Sequence, residues 1–230
     1  MIIKVVLSWV ASRLKGESFY LDGRIPNEYL FWLAFSKFMM CVRGVLRLRR
    51  LVMVGKGVQL LAKSHMQFGR AVHIEDGCVI NALSRDGLVF GDHVSIQKRT
   101  VVECTGSLRF IGKGLRIGSN VGVGSNSFLG CAGGVEIGDD TIIGNYVSFH
   151  SENHNYSDAQ LPIRVQGVSH QGIKVGSGCW IGAKVTVLDG VVVEDGCIIA
   201  AGALLTQGVY KANSIYGGVP AKFLKGRFDE

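Results

Sequence analysis

Aliphatic residues recur every six positions in the C-terminal half of the chain, at Val175, Ile181, Val187, Val193, Ile199 and Leu205. A second set of small or β-branched residues follows each by four, at Cys179, Val185, Val191, Cys197, Ala203 and Val209. Two inward positions per six residues predict short strands joined by tight corners. Each unit leaves an apolar edge that only the next unit covers, so the core grows by stacking into a solenoid. The same beat runs backwards through Ile137, Ile143 and Phe149, then Ile111, Ile117, Val123 and Leu129, and more loosely through Phe90, Ile96, Val102 and Leu108. Phase breaks near residues 109 and 135 predict short corner insertions. Gly follows the aliphatic residue at 112, 118, 124, 130, 138, 144, 176 and 182, which predicts tight turns with backbone angles that favour a missing Cβ. Pro occurs only at 26, 162 and 220, as expected where most N–H groups pair with a neighbouring rung.

Ahead of the beat the pattern changes. Tyr29 to Val42 is rich in aromatic and aliphatic residues, and Arg43, Arg47, Arg49 and Arg50 follow at once, which predicts an amphipathic helix entering the first coil. Its apolar run of about 14 residues falls short of the roughly 20 that span a bilayer. Residues 1–56 hold ten Lys or Arg against three acids, whereas residues 57–230 hold fifteen of each, so the net charge of +7 belongs to the N-terminal segment. The helix is expected either to cap the open end of the solenoid or to attach to anionic lipid, with the Arg side chains among headgroups and Phe31, Trp32 and Phe35 below them. No recognition motif accompanies the charge, which argues against nucleic acid. Met1 to Val10 is apolar with a single Lys4 and no small-residue cleavage site, so the cytoplasm is the expected compartment, with peripheral attachment at the inner membrane face as the addition the basic segment suggests. The expected organisation is a basic, partly helical segment at 1–56, a β-solenoid at 57–225 and a tail at 226–230.

The 230 residues, 47% hydrophobic, suffice for a sizeable core. The six cysteines form no CxxC pair, and Cys78, Cys179 and Cys197 occupy inward slots, which predicts buried hydrophobes rather than metal or redox ligands. The beat lapses between Phe149 and Val175, where a polar stretch, residues 150–174, holds three of the six histidines. A long loop leaving a rigid solenoid is a natural place for chemistry, because the strands fix its ends.

The hexapeptide pattern resembles the hexapeptide-repeat acyltransferases, over roughly residues 70–225. That resemblance implies an all-β fold, a left-handed parallel β-helix with three hexapeptides to each triangular coil. Asn153 to Asp158 followed by Leu161-Pro162-Ile163 is similar to the active-site loop of the polysaccharide and maltose or galactoside O-acetyltransferase branch. The similarity implies that His154 is the catalytic base and that Asn126 matches the assisting Asn. The Pro that often follows the His in that branch is replaced by Asn155, which leaves the acceptor open. The segments at 179–183 and 199–206 resemble those beside the coenzyme's pantetheine arm, and implicate Trp180, Gly182, Ala183, Ala201, Gly202 and Thr206 in binding acetyl-coenzyme A. The segment at 216–222 matches the signature that ends the solenoid, with Lys222 and Lys225 toward the phosphates. The family also implies a homotrimer with each site between two subunits, and no metal.

The chemistry is coherent. A sugar hydroxyl is a poor nucleophile until a base removes its proton, and imidazole titrates near neutrality. Attack on a thioester builds an oxyanion that needs an aimed N–H donor, a role that suits Asn126. His150, Glu152 or His170 could orient the base, and the sequence leaves the choice open. The expected activity is acetyl transfer to a sugar hydroxyl during assembly of a bacterial surface polysaccharide, with a sugar or lipid-linked glycan as acceptor. The alternatives are N-acetylation of an amino sugar, a zinc lyase of the γ-carbonic anhydrase type drawing on His150, His154 and His73 or His93, and a non-catalytic scaffold.

Overall fold

The computed structural model describes residues 20–229. The reading of Met1 to Val10 therefore lies outside the described residues. The chain divides into two compact units, residues 1–53 and 54–230.

In the first unit, helix α1 (Asn27–Leu48) starts after Pro26, carries Glu28 in its first turn and Arg47 in its last, and closes where Arg49 adopts left-handed backbone angles and donates its N–H to the Val45 carbonyl. The helix is longer than the apolar run predicts, because Arg43 and Arg47 are good helix formers and carry it on. At 22 residues it is long and apolar enough, by length and composition, to cross a membrane, which corrects the expectation of a segment too short to do so. Leu30, Met40 and Gly44 are buried. A Cβ on Gly44 would collide with the carbonyl of Val52, so no other residue fits there. Phe31, Trp32, Phe35 and Phe38 are each about 60% exposed.

The second unit is the predicted solenoid. Three sheets form its faces: a first of nine strands from Met53–Val54 to Lys222–Gly226, a second of seven from Gln59–Leu61 to Leu204–Leu205, and a third of seven from Met66–Phe68 to Gly208–Tyr210. Successive strands in each sheet belong to successive coils and pair in parallel, as Val123 does with Ile96 and Ile143. The exception is Lys222–Gly226, which returns antiparallel to Ser214–Gly217. The inward beat is buried throughout from Ile117 to Leu205, and the inward cysteines Cys78, Cys179 and Cys197 are buried with it.

Four details depart from the sequence reading. Leu108 and Ile111 are exposed, because the phase break spans residues 104–114 and the inward pattern resumes at Leu115. Val209 faces outward and Tyr210 is buried in its place. The corner after Leu205 is one residue shorter than the corner after Val187, since Tyr210 pairs with Val193, and the deletion inverts the facing. The glycines after the aliphatic beat, such as Gly124, Gly144 and Gly182, do not adopt positive φ. A Cβ on any of them would lie 2.4–2.6 Å from the backbone of the next coil, so close stacking of corners excludes a side chain. The left-handed positions beside them belong to Arg99, Asn126, Tyr146 and Lys184. Finally, His150 and Lys174 are strand residues, so the excursion proper is residues 151–172.

Candidate active site

Two edges of the prism carry the sequence-predicted residues. The corner between the first and second faces repeats without insertions, and its backbone forms a ladder: Asn126 N–H donates to Lys98 carbonyl, Tyr146 to Ser125, Lys184 to Asn145 and Gly202 to Ala183. Asn126, Ala183, Ala201 and Gly202 therefore line one ridge, with Gly182 buried beneath it. Arg99 Nε donates to Asn126 Oδ1 at 2.8 Å, which fixes the amide and leaves its NH2 as the donor end. Trp180 sits on the first face, two residues before the ridge, 54% exposed and in register with Ile142 and Ile198. The terminal return reaches the same ridge: Ala221 N–H donates to Leu204 carbonyl, and a Cβ on Gly217 would meet Ala200 Cβ at 3.1 Å. Lys222 follows, exposed. Lys225 lies further along, its Nζ donating to the Asp229 carbonyl at 2.7 Å.

The corner between the second and third faces holds every long insertion, at residues 104–114 and 151–172. Both ends of the second are pinned. Ser151 Oγ donates to Gly130 carbonyl at 2.8 Å and accepts from Gly133 N–H at 3.0 Å. At the return, the buried Asp189 carboxylate accepts the backbone N–H groups of Gln171 and Gly172. Between these anchors Asn153–His154 pairs antiparallel with Val168–Ser169, so His154 is presented on a short ribbon, with its side chain exposed.

Asn155 braces that ribbon. Its N–H donates to Gly167 carbonyl at 3.1 Å and its Nδ2 to Gln166 carbonyl at 3.1 Å. Gln166 in turn donates to the carbonyls of Asp158 and Leu161 and accepts from Asp158 N–H. A Pro at 155 would lose the ribbon hydrogen bond, so this loop is built around an Asn.

Asn126 and His154 thus lie on different edges, at opposite ends of the second-face strands, and do not meet within one chain. Thr206 also lies apart from the ridge, at the corner of His154, with its N–H and carbonyl both bound to Tyr210 Oη. Among the described residues, none of the three candidates for orienting the base is hydrogen bonded to the His154 ring. His150 stacks on Phe128 with ring centroids 5.6 Å apart, Glu152 lies beside Gly106, and His170 lies over Gly133. The histidines of the zinc alternative are scattered: His73 pairs with Glu75 at 2.9 Å on the first face, and His93 sits at the corner between the third and first faces. No group of three His, Cys, Asp or Glu among the described residues is placed to hold a metal.

The sequence reading missed a concavity beside the His154 excursion. Glu103, Gly106, Phe128, Gly130, Ala132, His150, Ser151 and Glu152 line a cavity of about 190 Å³. Burial raises the Glu103 carboxyl above its ordinary value, and Asn81 Nδ2 donates to its Oε1 at 2.6 Å.

Comparison with known proteins places this geometry. Residues 172–207 match the bacterial transferase hexapeptide of six repeats, and residues 114–147 match the hexapeptide repeat of succinyl-transferase. A probable acetyltransferase of Mycobacterium tuberculosis is 30% identical over 182 residues, covering 78% of this chain and 51% of its own length. The chain thus spans about half of that relative. Among solved structures, a variant of the N-acyltransferase AntD from Bacillus cereus, in complex with dTDP and coenzyme A, superposes with a TM-score of 0.51 at 19% identity, over 75% of this chain and 82% of that one. The UDP-N-acetylglucosamine O-acyltransferase of Moraxella catarrhalis gives 0.52 at 19% identity, over 76% and 65%. The solenoid is a left-handed parallel β-helix, with hexapeptide repeats matched at 114–147 and 172–207.

Proposed function

We propose that this hexapeptide-repeat chain is an acetyl-coenzyme A dependent acyltransferase whose acceptor is a sugar hydroxyl, with His154 as general base. The observation that carries the reading is the braced ribbon, which holds the His154 imidazole exposed on a doubly anchored excursion, while the edge whose glycines and alanines leave the backbone bare lies at the opposite end of the second-face strands. An extended pantetheine arm needs such a bare edge, and the ridge of Ala183, Ala201 and Gly202 supplies one, with Lys222 suited to phosphate at its end. The 30% identical acetyltransferase supports the acyl group, the solved N-acyltransferase holds dTDP and coenzyme A in its own complex, and the other solved relative is by name an acyltransferase of UDP-N-acetylglucosamine.

In the proposed step, the His154 imidazole takes the acceptor hydroxyl proton as the oxygen bonds to the thioester carbonyl carbon. The Asn126 NH2 donates to the oxyanion, the C–S bond then breaks, and the imidazolium returns its proton to the leaving thiolate. Products are the acetyl ester and coenzyme A. Because Asn126 and His154 occupy different edges of one chain, the reading requires a symmetric assembly, a trimer by resemblance, in which the ridge of one protomer faces the excursion of its partner. The exposed aromatics of α1 followed by Arg49 and Arg50 suit an acceptor carried on a lipid at the cytoplasmic face of the membrane.

A second reading, N-acetylation of an amino sugar, uses the same groups, and the N-acyltransferase among the solved relatives keeps it in view. One experiment separates them: mass spectrometry of lipid-linked glycans and of amino-sugar nucleotides after incubation with acetyl-coenzyme A. A gain of one acetyl group removed by mild alkali identifies an ester, and an alkali-stable gain identifies an amide.

A further inference from the structure

We infer that the cavity between residues 103–106 and 150–152 is the seat of the acceptor's pyranose ring, with Phe128 and His150 as its stacking platform and Glu103 and Glu152 as its hydroxyl acceptors. The inference rests on the acyltransferase reading and deepens it by naming residues that choose the acceptor. Three successive coils build the site. Glu103, Gly130 and His150 occupy one register position on adjacent second-face strands, so their outward groups stack along the prism. Gly130 is the device that shapes the floor: a Cβ there would lie 2.9 Å from Phe128 Cε1, so only its absence lets the Phe128 ring lie along the strand toward His150. The two rings, 5.6 Å apart and tilted by 35°, form an aromatic surface with an apolar Phe128 part of the kind that the C–H face of a sugar covers.

The walls are polar and differ in character. Glu103 is half-buried and held at the cavity wall by Asn81 Nδ2, which donates to its Oε1 at 2.6 Å, and by a backbone hydrogen bond from Thr105. Glu152 comes from the first turn of the His154 excursion and flanks Gly106, across the mouth. A ring seated on Phe128 can donate hydroxyl hydrogens to both carboxylates. The concavity, about 190 Å³, is open to solvent on one side, so a ring can enter it from the surface. Glu152 is two residues ahead of His154 in the chain, so the cavity adjoins the root of the excursion that carries the imidazole.

The test is saturation-transfer NMR on the full chain with two probes, methyl α-glucopyranoside and methyl α-glucosaminide, on wild type, Phe128→Ala and Glu103→Gln. Phe128 is 36% exposed and outside the core, and thermal melting confirms that each variant folds. The expected result is transfer from aromatic protons to the probe ring in wild type, reduced about tenfold by Phe128→Ala and weakened by Glu103→Gln. A preference for the glucosaminide would assign the carboxylates to an ammonium group as well. No transfer to either probe, or equal transfer in Phe128→Ala, overturns the inference. Calorimetry with coenzyme A on the same samples separates this from failure of the acyltransferase reading. Coenzyme binding without sugar binding sinks the cavity alone, and sugar binding without coenzyme binding sinks the reading alone.

Discussion

The buried carboxylate of Asp189 accepts the backbone N–H of Gln171 at 2.9 and 3.0 Å, fixing the returning end of the excursion that carries His154. The adjacent N–H of Gly172 bonds to the same group at 2.8 Å. Asp189→Ala leaves two N–H groups without an acceptor, at about 1–3 kcal/mol each. Urea denaturation should show a loss of that size, and turnover should fall further than stability. Asp189→Asn, which keeps a carbonyl oxygen, should restore most of both.

Asn155 links the two strands of the ribbon, so its replacement should loosen the excursion while sparing the solenoid. Asn155→Ala removes one hydrogen bond of about 1 kcal/mol, and Asn155→Pro removes the N–H bond to Gly167 as well. Limited proteolysis should cut within residues 151–172 faster in Asn155→Ala than in wild type, and fastest in Asn155→Pro. Melting of the solenoid should move little in either.

Glu103 gives a pH signature. Burial raises its pKa in the folded chain above the ordinary 4.5, so the folded state favours the protonated form. The associated stability is fully present below 4.5 and is lost as pH rises through the higher folded value. Glu103→Gln should therefore melt slightly above wild type at pH 7, and the difference should vanish below pH 4.5.

The buried thiols should be silent in the native protein. Burial pushes Cys78 and Cys179 up to about 11 and raises Cys131 and Cys197, so none is a thiolate near neutrality. Titration of native protein with an aromatic disulfide reagent should modify Cys41 first, the one cysteine of the six that is not buried, with the rest reacting only in denaturant.

Much of this was legible in the residues. The six-residue beat predicts a stacked solenoid, its hand supplied by the family resemblance, and its lapse after Phe149 marks the excursion, because a solenoid tolerates extra chain only at a corner. The departures have local causes. The beat cannot report the single deletion after Leu205 that turns Val209 outward, nor the eleven residues at 104–114 that place Leu108 in solvent. Glycine carries no label for its purpose: Gly124 and Gly182 read as turn formers, yet the backbone of the adjacent coil is what excludes their Cβ atoms. The cavity was hidden for a related reason. Glu103, Phe128 and His150 are neighbours only through coil stacking, and unequal insertions remove any fixed spacing between them. Outward polar and aromatic residues on consecutive second-face strands were the available signal.

The most direct measurement is acetyl transfer from acetyl-coenzyme A to a lipid-linked glycan pool by wild type and His154→Ala, with coenzyme A affinity measured calorimetrically on both. The account predicts a fall in transfer of roughly 10²–10⁴ with affinity unchanged within about twofold. Transfer retained near the wild-type rate in His154→Ala would contradict it.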